Sequence, residues 1–462
     1  MKKTIVIDPI TRISGFLETK VKVEKDIIVY AQTSGLLFRG FEKMLKSRQP
    51  LDAVYFTERI CGICSTAHAV AATMALEDAL KISISLNDSY IRNLMHGFEF
   101  IQNHIRHFYN MTVPSYVRMP DINPLYSNQY DDYRLPDNLN KKISQDYIES
   151  IKYSRLAHEG LAVLGGKAPH NHGIFVGGVT VNIDSYKLVK VKSIISKIKE
   201  FVNNTMIEDM NIISEYYADY FKIGGSYGNF MTYGIFDKYE DPSISYVKPS
   251  VLINGQRSNL NSSKITENVL NTWYMNDNEE TINLSKETGY TFIKSPNYEG
   301  HQMEVGPLAR LILSGEYNGG SSCMDRNAAR VLETKKIIGI MEELSKRITV
   351  QPNGQRTYKI PDSAYGVGLT DTTRGALGHW IKIEDKLIKY YNIITPTVWN
   401  MGPKDETGKF GVGEKSLIGT KIKDISQPIE VGRIMRSFDP CVSCATHLIS
   451  DKYKPVDIEV IV

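Results

Sequence analysis

The sequence predicts an α+β fold, predominantly helical, with a helical bundle as its core and small peripheral β-sheets at the N- and C-terminal sides. Three observations carry that expectation. Long stretches with apolar residues at 3.6 spacing fill the middle of the chain. Short runs rich in Val, Ile, Thr and Tyr lie towards both ends. The residues best suited to build one site, Cys61 and Cys64 against Cys441 and Cys444, stand almost a whole chain apart, so the two ends must meet. No internal repeat, low-complexity linker or composition shift marks a boundary, and the chain reads as one integrated unit.

Composition narrows the class. The 462 residues are 42% hydrophobic and 23% charged, enough to bury a large core. Lys+Arg 55 against Asp+Glu 52 gives a net charge of only +3, so no nucleic-acid partner is expected. Five cysteines are too few for a disulfide-rich secreted scaffold. No apolar run reaches the roughly 18 residues of a membrane span. The opening MKKTIVIDPITRISG has no signal-peptide core, so the expectation is that another chain carries this one if it leaves the cytoplasm.

In chain order, TIVIDPI, LETKVKV and IIVYAQT read as strands within residues 4–33. After Cys61, AHAVAATMALEDALKI holds strong helix formers and neither Gly nor Pro. Residues 88–109 predict an amphipathic helix capped by Asp88 or Ser89, its stripe formed by Leu94, Phe98, Ile101, Ile105 and Phe108. Its histidines, His96, His104 and His107, are expected to pack or hydrogen-bond rather than bind metal. Residues 110–143, rich in Pro, Asn, Asp and Tyr, read as a surface loop. A helix over 144–164 ends at Gly165 and Gly166. His170 and His172 read as polar loop residues more readily than as ligands. Residues 185–216 predict one long helix whose lysines are a solvated face rather than a membrane-binding one. Residues 220–300 mix short strands and loops, 326–347 are helical, and HWIKI and LIKYYNI are strands near the end.

The chemistry lies in two clusters, RICGICSTAH and SFDPCVSCATH. Two CxxC pairs supply four thiolates, a donor set suited to zinc, nickel or an iron–sulfur cluster. In a zinc ribbon roughly 15–20 residues separate the pairs. Here nearly the whole chain does, which favours a metal enclosed by the entire fold. Four thiolates around a metal with an open position make an electron-pair acceptor, and a nearby base would take up a proton. Spacing alone leaves the metal and the substrate open.

The wording of both clusters closely resembles the paired motifs of the nickel–iron hydrogenase large subunit. The resemblance runs through the interior: DPITRISGF against the usual DPxTRIEGH, then LLFRGFEKM, HIRHFY, GGKAPHNHG, NYEGHQMEVGPLAR, LTDTTRGALGHW and PTVWNMGP. The chain departs from the family at Ser14, where glutamate is usual, and at Phe16, where histidine is usual. It departs again at Thr372 and Thr373, in place of Ala and Pro, and at Asp371, in place of glutamate.

What the resemblance implies is specific. All four cysteines would bind nickel, with Cys64 and Cys444 bridging to an iron that carries CO and cyanide ligands. Cys441, terminal on nickel, would be the proton acceptor. Arg374 and Thr397 would donate to the cyanides, with Asp371 beside them, and His68 would support a bridging cysteine. A magnesium-type cation would tie Glu42, the Ile393 carbonyl and His447. Ser14 would occupy the proton-path position. The reaction would be the reversible cleavage of H2, in the uptake direction, with a hydrogen-sensing subunit of low turnover as the alternative. A cysteine-free scaffold relative fits poorly because all four thiols are present, and a zinc oxidoreductase stands as the unrelated rival. With only Cys323 left over, this chain would hold no iron–sulfur cluster. An iron–sulfur small subunit is therefore an expected partner, with a membrane electron acceptor reached through further subunits. That would place the protein peripherally at a membrane, or otherwise in the cytoplasm. Residues 448–462 resemble the tail that a maturation protease removes, so the mature unit is expected to be 1–447.

Overall fold

Four long helices, Leu86–Arg106, Asp137–Gly165, Ser185–Phe201 and Cys323–Arg347, pack side by side. The first lies against the second and fourth, and the third closes against the same two. The structure, a computed structural model, describes residues 2–120, 130–275, 281–354 and 357–445. The predicted stripe of the first helix is the seam: Leu94, Phe98, Ile101 and Ile105 are fully buried, each contributing about 1.5–3 kcal/mol through burial of apolar surface.

Side chains set three of these four helix starts. Ser85 Oγ accepts the Asp88 N–H at 3.1 Å, so the first helix begins one residue after Ser85, earlier than a cap at Asp88 or Ser89 predicts. Asp184 caps the third helix on the Lys187 N–H at 2.8 Å. A reciprocal Ser322–Asp325 box opens the fourth. The second helix starts at Asp137, seven residues ahead of expectation, and Gly166 ends it at φ 80°. The predicted 185–216 helix is interrupted by a π-helical turn at Val202–Met206 before continuing over Ile207–Tyr216. Its lysines form ion pairs at the surface, Lys190 with Glu159 and Lys199 with Glu342, as a solvated face does.

The surface-loop reading of 110–143, of which 121–129 lie outside the described residues, needs correction at both ends. A π turn, His107–Thr112, and a 3-10 turn, Val113–Ser115, follow the first helix, and Val113, Tyr116 and Val117 are buried. Tyr116 is drawn inward by the Arg433 guanidinium, which lies 4.7 Å from its ring and also over Tyr217 and Tyr220. Local composition carries no trace of that distant cation.

The N-terminal sheet is three antiparallel strands in sequence order, Lys2–Ile7, Leu17–Glu24 and Ile27–Gly35. Leu17, Thr19, Val21 and Val23 turn inward on the strand period. The C-terminal sheet, Ser363–Thr372, Gly375–Glu384 and Leu387–Ile394, is likewise an antiparallel meander. Its first strand went unread in the sequence because Gly366 and Gly368 weaken a strand pattern. Those glycines let the strand lie directly on the Ser65–Leu80 helix. A Cβ at Gly366 would stand 2.1 Å from the Ala75 carbonyl oxygen, and one at Gly368 2.0 Å from that of Ala71. No helix among the described residues is long and apolar enough to cross a membrane.

Candidate metal centre

The two ends of the chain meet through backbone hydrogen bonds. The Ser14 N–H donates to the Pro440 carbonyl at 3.2 Å, and the Val442 N–H donates to the Ser14 carbonyl at 2.7 Å. Gly15, at φ 88°, permits this approach, since a Cβ there would lie 2.6 Å from the Ser443 nitrogen. The Arg39 guanidinium adds a second tie, donating to the Ser443 carbonyl at 2.7 Å and to the Ile60 carbonyl. One side chain thus bridges the loops of both cysteine pairs.

These ties bring together Cys61, Cys64 and Cys441, all buried, with sulfur atoms within 4.8 Å of one another. The Cys61 and Cys441 sulfurs are 3.3 Å apart. Among the described residues this is the only His/Cys/Asp/Glu group of metal-binding geometry, and His170 and His172 take no part in it. Cys444 lies on the short Val442–Ala445 helix, but its side chain and the whole of His447 lie outside what the structure describes.

Arg374 stands over the thiols at the tip of a two-residue hairpin turn, set by the Thr372↔Gly375 pairing and fixed by an Arg374 N–H to Thr372 Oγ1 bond of 3.0 Å. Its Nε donates to the Asp439 carbonyl at 2.7 Å, and Nη2 donates to Asn103 Oδ1 at 3.0 Å and pairs with Asp439 Oδ1 at 3.0 Å. Nη1 is buried with no partner among the described residues. Burial works against the guanidinium charge, yet Asp439 and the Cys441, Cys64 and Cys61 sulfurs outweigh it and raise its pKa well above the ordinary value. Asp439 in turn is held below the usual carboxylate range: its burial is overcome by Arg374, His107 and Arg330 and by the 2.7 Å bond from Asn103.

Thr397 Oγ1 accepts the Cys441 N–H at 2.9 Å, which leaves the hydroxyl hydrogen free to donate elsewhere. Ser14 Oγ lies 3.5 Å from Cys441 Sγ. Asp371 is placed differently. Its carboxylate accepts from Arg310 Nη1, the Thr232 hydroxyl and the Tyr233 N–H, all at 2.8–2.9 Å, so it anchors the hairpin stem. His68 Nδ1 lies 3.1 Å from His379 Nε2, whose other nitrogen meets the Tyr391 hydroxyl at 2.9 Å. Tyr391 is near Glu42, whose charge helps raise the phenol pKa after the larger effect of burial. The Phe41–Leu45 helix bearing Glu42 packs on the strand bearing Ile393.

Sequence reasoning missed Arg39, Glu99, Asn103, His379 and Asp439. Glu99 accepts the Thr66 and Ala67 N–H groups at 2.6 and 3.0 Å, at the helix N-terminus beside Cys64. Burial pushes it up to about 7 against the pull of those bonds. Asp439 and His379 lie inside the SFDPCVSCATH and LTDTTRGALGHW motifs, beside more chemically distinctive neighbours. The bundle histidines pack or hydrogen-bond as expected: His96 lies edge-on to Phe100, His104 meets Glu333 at 2.8 Å and His107 the Arg436 carbonyl at 2.8 Å.

A buried nest of thiols, overhung by a guanidinium that keeps one donor in reserve, is the donor set of a thiolate-ligated metal centre. Comparison with known proteins gives the class its family. Residues 39–124 and 122–447 match the model of the nickel-dependent hydrogenase family. The chain is 33% identical to the periplasmic NiFeSe hydrogenase large subunit of Desulfomicrobium baculatum, covering 97% of this chain and 95% of that one. It is 30% identical to the uptake hydrogenase large subunit of Bradyrhizobium diazoefficiens, covering 97% and 96%. The Ni-Fe-Se hydrogenase structure from D. vulgaris Hildenborough in the reduced state superposes with a TM-score of 0.91 at 34% identity, over 97% of this chain and 100% of that one. The chain belongs to the nickel-dependent hydrogenase family: it is the large subunit of a nickel–iron hydrogenase, an oxidoreductase acting on molecular hydrogen.

Proposed function

We propose that this subunit catalyses the reversible heterolytic cleavage of H2 into two protons and two electrons, working in the uptake direction. Cys61, Cys64, Cys441 and Cys444 would hold nickel, and Cys64 and Cys444 would share an iron that carries CO and cyanide. The observation that carries this reading is the convergence of three buried sulfurs beneath the unpartnered Arg374 Nη1. When bound, the nickel–iron group supplies the electron-pair acceptor that polarises H2. Cys441 takes the proton at Sγ, and Ser14 Oγ, 3.5 Å away, relays it. Arg374 Nη1 and the Thr397 hydroxyl offer hydrogen bonds to the cyanide nitrogens. Asp371 serves the group indirectly, by fixing the hairpin that carries Arg374. His68, backed by His379 and Tyr391, orients the Cys64 side of the centre. A magnesium-type cation would be held by Glu42, the Ile393 carbonyl and His447.

The electrons pass to an iron–sulfur small subunit, and from there to an acceptor, at a membrane if further subunits supply one. The working unit is residues 1–447, formed when a maturation protease removes 448–462. Metal analysis with infrared spectroscopy tests the centre: nickel, iron and CO and cyanide bands are expected, and zinc without them would overturn it. Intact mass of the active enzyme should end at His447.

A second reading, a hydrogen sensor of low turnover, draws on Ser14 alone. A hydroxyl relays a proton only by giving up its own, whereas a carboxylate can store one. On that reading Ser14→Glu raises H/D exchange and turnover. No change on Ser14→Glu, with loss on Ser14→Ala, would show the serine to be an adequate relay and would remove the sensor argument.

A further inference from the structure

Beside the metal centre two arginines point at one hydroxyl, with no carboxylate between them among the described residues. Arg12 Nη2 donates to Ser115 Oγ at 2.9 Å, and Arg436 Nη1 donates to the same oxygen at 3.3 Å. Arg436 is 7% exposed, and its remaining donors go to neutral acceptors, the Thr11 carbonyl at 2.8 Å and the Thr11 hydroxyl at 3.3 Å. Arg12 Nε and Nη1 are buried and have no partner among the described residues. Arg12 also sits at φ 58°, a conformation that a non-glycine residue adopts only when its surroundings hold it there.

The neighbouring carboxylate cannot serve the pair. Asp132 already receives Arg433 Nη1 at 2.6 Å, Arg134 Nε at 2.9 Å and Lys423 Nζ at 3.2 Å. What else faces the pair among the described residues is a third cation, Arg433, and the phenols of Tyr116, Tyr133 and Tyr130, the last within hydrogen-bonding reach of Arg12. Burial, then the charge of Arg12, pulls Arg436 down to about 9. Arginine does not shed its proton under ordinary conditions, so among the described residues no carboxylate compensates the pair's double charge. A built site of this kind is completed by an anion with two oxygens.

Its position identifies the source of that anion. Arg12 is two residues before Ser14, which bridges to Cys441, and it is partly exposed, as is Ser14. Gly62, between the first two cysteines, is exposed as well. Electrons leave a buried centre by a short way out, because transfer falls steeply with distance, and exposed Gly62 and half-buried Ser14 adjoin the cysteines here. Resting on the proposed requirement for an iron–sulfur subunit, we infer that the Arg12–Arg436 pocket receives an aspartate or glutamate side chain of that subunit and so fixes the register of the two chains. Arg12 and Arg436 are positioning residues, since neither touches the reacting atoms.

The test uses the intact heterodimer. In Arg12→Lys enzyme, carbodiimide should join position 12 to an acidic residue of the small subunit, found by peptide mass spectrometry. A cross-link to an acid of the same chain, or none in an intact heterodimer, overturns the inference. Arg12→Gln should raise the subunit dissociation constant by about tenfold or more, chiefly through faster dissociation, with partial rescue by Arg12→Lys. The full chain without its partner should melt no lower with Arg12→Gln, because the change relieves like-charge repulsion. A lower melting temperature with unaltered association would assign the pair a structural role instead. Association weakened as much in wild type by added sulfate, but with no cross-link, would mark an inorganic-anion site and equally overturn it. If the chain pairs with no iron–sulfur subunit at all, the partner reading itself falls.

Discussion

Arg310 and Arg374 flank the same hairpin turn, both fully enclosed, and they are held in opposite ways. Arg310 spends every donor on protein. Nε and Nη2 take Glu333 at 2.7 Å each, Nη1 takes Asp371 at 2.9 Å and the Thr372 carbonyl at 3.0 Å, and Nη2 also takes the Thr373 carbonyl at 3.1 Å. Arg374 has its Nε and Nη2 fixed and its Nη1 left over. The first guanidinium builds the turn, and the second is what the turn presents. A buried charge in a polar core is thus no guide to function until its donors are counted.

The comparison can be broken most forcefully at its structural half. Arg310→Ala would strand Glu333 and Asp371 without their cation, and the loss of one partner of a buried pair costs about 3–5 kcal/mol. The expected outcome is a chain that fails to accumulate in soluble form, and a soluble variant with an unchanged urea midpoint would contradict it.

Next in size is Arg374→Lys. It keeps the charge but loses the planar fork. Turnover should fall by about a hundredfold or more, the infrared bands of the proposed CO and cyanide ligands should shift, and the melting temperature should move far less than in Arg310→Ala. Equal damage to fold and activity would erase the distinction between the two arginines.

Asn103→Asp sharpens the comparison by adding a carboxylate against Arg374 Nη2 and the Asp439 carboxylate. Two acids then face each other across one guanidinium, and one of them takes up a proton more readily. Activity should acquire a new acid-side dependence, read in the pH profile of H2 oxidation.

The smallest effect concerns a group outside the arginine pair. Burial pushes Glu58 up to about 8, with the charge of Glu99 adding to it and Arg59 opposing. The folded chain therefore keeps a proton that the unfolded chain releases near 4.5, and stability declines as pH climbs from about 4.5 to about 8. Glu58→Gln should flatten that decline by roughly 1–3 kcal/mol, measured as urea midpoints at pH 5 and pH 8.5.

How much was legible in the sequence follows from the range of the interactions involved. Leu86–Arg106 was readable because its stripe is local and periodic, and the cysteine pairs because thiol spacing and wording are local too. The cap at Ser85 was misplaced by a few residues, since Asp88 and Ser89 are equally good capping types and only the backbone decides. Asn103 and Asp439 are ordinary residues until the fold sets them on either side of Arg374, and nothing in their neighbourhoods announces a partner 271 or 65 positions away. Tyr116 looked like loop material for the same reason.

The short ladder between Ser14 and Cys441 spans 427 positions of sequence. Its consequence is a matter of timing. At about 5–20 residues per second, a nascent chain exposes Ser14 for tens of seconds before the cysteine it must pair with is synthesised. During that interval the first strand hairpin can form, but the segment leading to Ser14 has no partner and the thiol nest has no fourth wall. Cys61 and Cys64 therefore wait as an open-sided pair until the segment bearing Cys441 has been made and has closed on Ser14.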